Sequence, residues 1–260
     1  MAYENLLVEI TGGVAVVKIN RPRALNALNS ATLDEIAQAA AELEANDEVR
    51  VVIVTGEGSK AFIAGADIAE MAPMNPVEGM RFSERGHAAL SALENMSKPV
   101  IAAVNGYALG GGFEVALACD IIYASEKARV GFPEVTLGII PGFGGTQRAA
   151  KLVGLAKAKE MVLSGKTITA QEAYEMGFIS KVVPADQLME TVNELAGKIR
   201  SNGPIGVKLA KACVNSSLSV DAESGMDLEA KAFGICFGTL DQKEGMGAFL
   251  EKRVPTYRGQ

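Results

Sequence analysis

Short runs of β-branched residues ending at turn or polar positions recur through the first part of the chain: Val14 to Ile19, Val49 to Thr55, Pro99 to Val104 and Asp120 to Tyr123. Runs of that length and composition predict buried strands. Helical patterns lie between them, the clearest from Thr32 to Glu44, where Leu33, Ile36, Ala37, Ala40 and Leu43 share one face. Thr32 and Glu35 have capping-box spacing, with Ser30 as a competing N-cap. Because strand and helix alternate, the first part is expected to be α/β with crossover connections. From Thr169 the pattern changes to helices broken by short turns: Thr169 to Met176, Asp186 to Arg200, Pro204 to Ser217, Ala222 to Cys236 and Asp241 to Lys252. Pro204 suits a first helical turn, where its missing N–H would have no partner anyway. A boundary near Asn202-Gly-Pro204 divides residues 1–202 from a helical tail, 203–260. In that tail Phe233, Phe237 and Phe249 alternate with charged residues, a pattern that fits packing on a neighbouring subunit and, equally, anchoring within the chain.

At 260 residues the chain can bury a large core without an external staple. An apolar fraction of 48% against 22% charged excludes disorder and places it among ordinary soluble globular proteins. The net charge of −6 offers no general attraction to nucleic acid or to anionic lipid, both of which bind through basic surfaces. Cys119, Cys213 and Cys236 are odd in number and widely spaced, so no disulfide framework or CxxC site is available. That suits a reducing, cytoplasmic location. The segment Met1 to Ile10 lacks the basic-then-apolar order of a signal peptide, and no apolar run approaches the ~20 residues of a membrane span.

Several motifs fail on inspection. Gly56-Glu-Gly-Ser-Lys-Ala61 matches the GxGxxA form of a dinucleotide fingerprint, yet Ala61-Phe-Ile-Ala-Gly65 is no helix for a pyrophosphate to cap. A turn is expected there instead. Gly165-Lys-Thr167 resembles the end of a P-loop, but Glu160 stands where its first glycine belongs. His87 is the only histidine, in a polar helical stretch, and there is no GxSxG elbow, which argues against a serine triad. Clustered zinc ligands are missing as well.

What remains is two glutamates beside two small-residue loops. Gly110 to Gly112 lie between the strand ending near Val104 and an apolar stretch, Phe113 to Cys119, that should be helical. Such a turn leaves backbone N–H groups pointed at an anion, although it also suits close strand–helix packing. Ala64-Gly-Ala-Asp-Ile68 is a second such loop, able to bring another N–H to the same oxygen. Glu114 falls in the apolar helix, and Glu134 in Val130-Gly-Phe-Pro-Glu134 precedes an apolar loop running to Pro141-Gly-Phe-Gly-Gly145. An isolated carboxylate is costly to bury, so each acid is either structural, in a salt bridge or a helix cap, or catalytic. A pair in one apolar site can divide general-acid from general-base work.

Asn20-Arg-Pro-Arg-Ala-Leu-Asn-Ala-Leu28, Phe62 to Ile68, Pro99 to Gly112, Pro133-Glu134, Pro141 to Arg148 and Gly247 to Arg253 together resemble the crotonase (enoyl-CoA hydratase) family, in particular its bacterial short-chain members. The resemblance spans essentially the whole chain. It implies a spiral of ββα units followed by a helical C-terminal oligomerisation region, in a homotrimer or a homohexamer built as a dimer of trimers. It implies that the N–H groups of Ala66 and Gly111 form an oxyanion hole and that Glu114 and Glu134 are the catalytic acids. Ala24, Leu25, Ala64, Asp67 and Ile68 would line the coenzyme A site, completed from the tail by Phe233, Phe249 and Lys252, in the family sometimes across a subunit contact. The substrate would be an acyl-CoA thioester, with no metal and no cofactor beyond the coenzyme A it carries. The implied reaction is hydration of a trans-2-enoyl-CoA. An isomerase, a thioester hydrolase or a decarboxylase on the same scaffold, and outside catalysis an acyl-CoA-binding or RNA-binding protein, are the alternatives. Phe132 stands where many relatives have glutamine, and Phe113 where many have cysteine or another small residue, which is expected to alter the acyl pocket.

Overall fold

The structure is a computed structural model that describes residues 3–260. Strands β1 (Leu6–Thr11) and β2 (Val14–Ile19) lead into α1 (Ser30–Ala45). Then come β3 (Val51–Gly56) and β4 (Ala61–Ile63) with the short α2 (Ile68–Met71) and the long α3 (Pro76–Glu94). β5 (Val100–Val104) and β6 (Tyr107–Leu109) precede α4 (Gly111–Ala118). β7 (Ile121–Ser125) and β8 (Arg129–Gly131) precede a 3-10 turn at Pro133–Leu137, α5 (Gly145–Val153) and α6 (Leu155–Ser164). β9 (Thr167–Thr169), α7 (Ala170–Met176), β10 (Lys181–Val183) and α8 (Leu188–Arg200) close the core. The tail is α9 (Pro204–Ser216), α10 (Ala222–Cys236) and α11 (Leu240–Glu251).

Sorting these strands by sheet reveals the spiral. One sheet has the order β1-β2-β3-β5-β7-β10, the other β4-β6-β8-β9. In the second, third and fourth ββα units the first strand joins the larger sheet and the second strand joins the smaller, so each unit stacks parallel on the one before. Both faces of the larger sheet are covered. Val52, Val54, Val100 and Ala102 join the main core with α1, α3 and α4, while Val51, Ile53, Ile101 and Ala103 meet Leu188, Val192 and Ala196 of α8. Strands buried on both faces read as unbroken apolar runs, which is why β3 and β5 stand out in the sequence.

Four expectations change. The N-cap of α1 is Asn29, whose side chain accepts the Thr32 N–H at 2.9 Å. The Thr32–Glu35 capping box does not form, because Glu35 turns away to accept the N–H groups of Glu4 and Asn5 at 3.0 and 2.8 Å. The region after Thr169 is not purely helical, since β10 pairs in parallel with β7 and completes the larger sheet. Helix α8 also starts later than Asp186, after a 3-10 turn at Ala185–Gln187. The Gly56–Ala61 segment is a turn, as expected, since β3 ends at Gly56 and Ala61 opens β4, while Gly165 caps the C-terminus of α6 just before β9.

In the tail, Lys211 ties α9 to the core through Asp120 Oδ2 at 2.8 Å and the Lys98 carbonyl at 3.1 Å. Helix α10 packs on α9 and buries none of its residues. Phe233 is 65% exposed and Phe249 83% exposed, so neither phenylalanine anchors the tail within the chain.

Candidate active site

Glu114 sits in the first turn of α4 and is only 1% exposed. Its Oε1 accepts the N–H of Phe143 at 2.8 Å and of Gly145 at 2.6 Å. Gly145 is the first residue of α5, so the carboxylate caps a helix other than its own. The approach requires a glycine, because a Cβ at 145 would lie 2.7 Å from Glu114 Cγ. Burial raises the pKa of Glu114, and the N–H groups of Gly145 and Phe143, with the charge of Arg148, oppose the rise.

Glu134 lies on the 3-10 turn whose first residue is Pro133. Its carboxyl packs against the backbone of Gly110, where a Cβ would stand 2.6 Å from Oε1. Gly110 has φ +49, a conformation that an L side chain rarely adopts. Glu134 Oε2 is buried without a hydrogen-bond partner among the described residues. Burial, with the Glu114 charge as a smaller contribution, lifts Glu134 to a pKa of about 7. The two acids therefore differ in kind. Donors favour the charged form of Glu114, whereas little favours that of Glu134.

Gly111 opens α4, so its N–H has no intrahelical acceptor. The Ala66 nitrogen lies 3.5 Å from where a Cβ on Gly111 would be, and Leu28 pairs with the carbonyl of Gly65 and the N–H of Asp67 on either side of it. Neither the Ala66 nor the Gly111 N–H has an acceptor among the described residues. Two loops thus bring two nitrogens without acceptors close together at one cavity.

All four groups line a cavity of about 910 Å³. Met71, Met74, Phe82, Leu137, Ile139 and Ile140 supply much of its apolar wall. Ala64 and Ile68 line it as well. Ala24, Leu25 and Asp67 do not line it: the Leu25 carbonyl accepts the Ala64 N–H at 3.1 Å, and Asp67 pairs with Arg21 at 2.9 Å. Phe233, Phe249 and Lys252 lie on the tail and do not reach the cavity within one chain. Phe113 and Phe132 are fully buried and stack on each other at 5.1 Å, and neither lines the cavity. They are core residues behind the glutamates, which corrects the expectation that they reshape the acyl pocket directly. Sequence reasoning missed the donors at Phe143 and Gly145, although Pro141-Gly-Phe-Gly-Gly145 is a small-residue loop of the same kind as the two it singled out.

Among the described residues no cluster of histidine, cysteine and carboxylate side chains is arranged to hold a metal ion, and no helix is long and apolar enough to cross a membrane.

A two-layered ββα spiral, with paired acids and paired free N–H groups in one apolar cavity, defines an acyl-thioester enzyme class. The family model for enoyl-CoA hydratase/isomerase matches residues 9–260, and the chain belongs to that family. It is 52% identical over 253 residues to the short-chain-enoyl-CoA hydratase of Clostridium acetobutylicum, covering 97% of both chains. It is 49% identical over 257 residues to the crotonyl-CoA hydratase of Syntrophomonas wolfei, covering 99% of both. A solved enoyl-CoA hydratase from Bacillus anthracis superposes with a TM-score of 0.96 at 43% identity, over 99% of this chain and 100% of that one.

Proposed function

We propose that the chain is an enoyl-CoA hydratase that adds water reversibly across the C2=C3 bond of a short trans-2-enoyl-CoA, within fatty-acid metabolism. The observation that carries this reading is the asymmetry of the two acids, one held by two N–H donors from a neighbouring loop and one with a buried oxygen that has no partner among the described residues and a pKa of about 7. Hydration needs a base for water and an acid for carbon at the same time.

The thioester carbonyl accepts the Ala66 and Gly111 N–H groups, which polarise the conjugated double bond and make C3 electrophilic. Glu114 takes a proton from water as the water oxygen bonds to C3. Glu134 gives its proton to C2, and the π electrons pass through the enolate into the new C–H bond. One proton has then moved from Glu134 to Glu114, and exchange with solvent restores the starting state. The two N–H donors gain most strength at the enolate, and losing one such donor typically costs about 10²- to 10³-fold in rate.

Beyond the single chain, the reading includes a cytoplasmic homotrimer or homohexamer assembled through residues 203–260. The exposed apolar side chains of α10 and α11 support it. In such an assembly Phe233, Phe249 and Lys252 would complete a coenzyme A site together with Ala24, Leu25 and Asp67. Coenzyme A enters as part of the substrate.

Loss of enoyl-thioester absorbance with crotonyl-CoA tests the proposal, with Glu114→Gln and Glu134→Gln run beside the wild type. Each variant is expected to retain coenzyme A binding and to lose at least the ~10²- to 10⁴-fold typical of a general acid or base. Wild-type inactivity on crotonyl-CoA and on longer enoyl-CoAs would overturn it, and so would full activity in either variant.

A further inference from the structure

The donors that hold Glu114 are themselves held. Arg148, on α5, donates from Nη1 to the Phe143 carbonyl at 2.8 Å, on the residue whose N–H reaches Glu114. Its Nε and Nη2 grip both oxygens of Glu94, the last residue of α3, at 3.1 and 2.7 Å. The guanidinium is 14% exposed and lies 2.5 Å from where a Cβ on Gly144 would be, so it occupies the inside of the loop that presents the donors. On the other side of that loop the Phe143 ring fills the space a Cβ on Gly86 of α3 would take, and Ser83 of α3 donates to the Gly142 carbonyl. Loop 142–145 is therefore fixed from α3 and from α5, and Arg148 joins the two.

We infer that Arg148, oriented by Glu94, is a positioning residue for catalysis: it fixes the loop that sets the Phe143 and Gly145 N–H groups on Glu114, and its charge favours the ionised form that a base requires. This rests on the hydratase reading above. A bidentate guanidinium–carboxylate pair is suited to such a role because it fixes direction as well as distance. Of the elements packed on α4, α5 carries Arg148 and Lys151, and α3 carries Glu94, the exposed His87 and, toward its N-terminus, Glu78, Arg81, Glu84 and Arg85. The spans of β4 and β6 carry no carboxylate or cationic side chain, and Glu134 faces the same cavity from its own turn. Arg148 is the one cation among these that acts on Glu114 directly.

The experiment is the pH dependence of kcat/KM on crotonyl-CoA for the wild type, Arg148→Gln and Arg148→Lys, each checked for folding by thermal melting. The acid limb reports the base that must be ionised in the free enzyme. With the cation removed, Arg148→Gln should move that limb upward by about 0.5–1 pH unit and lower kcat more than it raises KM. Arg148→Lys keeps the charge and loses the fork, so its acid limb should stay with the wild type while kcat falls. His87 is present in all three proteins and cancels in the comparison. An unmoved limb in folded Arg148→Gln overturns the electrostatic role, whatever its rate. Should Arg148→Gln fail to fold, Arg148→Lys decides alone: wild-type kcat, or a limb that moves despite the retained charge, overturns the inference. An inactive wild type instead defeats the hydratase reading, so the two failures are distinguishable.

Discussion

Glu134 is a buried group whose ionisation works against stability. Its pKa is raised from the ordinary carboxylate value to about 7, so the unfolded chain ionises it at lower pH than the folded one. The folded state therefore binds more protons between about pH 4.5 and 7, and stability is lost as pH rises through that window. Glu134→Gln removes the effect. Denaturant unfolding should find this variant more stable than the wild type at pH 8, by on the order of 1–3 kcal/mol, with the gain shrinking toward pH 5. If Glu134 is the acid of the proposed hydration, the same proton should set the alkaline limb of wild-type activity near pH 7. A gain that is independent of pH would show that the substitution acts through packing rather than ionisation. Both acids were legible in the sequence as carboxylates in apolar surroundings, as were the two loops with free N–H groups. The different surroundings of the two acids were not, since those of Glu114 depend on Phe143, Gly145 and Arg148, which lie 29 to 34 positions beyond it and meet it only through the packing of α4 on α5.

Among the elements, legibility follows length and burial. Strands β3 and β5, covered on both faces, declare themselves as apolar runs. The smaller sheet consists of β4, β6, β8 and β9, each three residues long, too short for any period to register. Strand β1 escaped for a different reason: it alternates at the surface, and only the Gly12-Gly13 turn, with φ +54 and +82, marks its hairpin with β2. The spiral itself is a matter of which sheet each strand joins, and local pattern does not encode that. At this scale the attachment of α9 is the contact most open to test. Lys211 and Asp120 are well buried as a pair, and burial raises the Asp120 pKa while Lys211 opposes the rise. Lys211→Met leaves that carboxylate buried without its cation, which costs about 3–5 kcal/mol when such a pair is broken. Urea unfolding at pH 7 should show a loss of this order, with much of it recovered in the double variant that also carries Asp120→Asn. No recovery would mean that the Lys211 stem, and not the ion pair, holds the helix.

For the whole molecule, the tail is the part whose surface makes least sense alone. Met226, Phe233, Ile235, Leu240, Phe249 and Leu250 are all more than half exposed, a density of apolar side chains on the two successive helices α10 and α11 that solvent does not favour. The Phe233 and Phe237 rings pack at a tilt of 56° with their centroids 5.1 Å apart, which makes a preformed aromatic ridge. Their burial in a trimer or hexamer would remove the cost and bring the tail residues to a coenzyme A site that lacks them in one chain. Assembly and activity should then fail together. Light scattering on eluted protein is expected to give a mass of three or six chains for the wild type, and Phe233→Glu with Phe249→Glu should shift it toward the monomer, since buried aromatic anchors typically carry about 2 kcal/mol or more each. In that variant KM for crotonyl-CoA should rise more than kcat falls, because Glu114, Glu134 and the two N–H donors all reside within the chain while part of the proposed coenzyme A site does not. A monomeric variant with unchanged KM would confine the coenzyme A site to one chain and leave the tail an assembly device alone. A wild type that is itself monomeric at micromolar concentration would remove the assembly from the account.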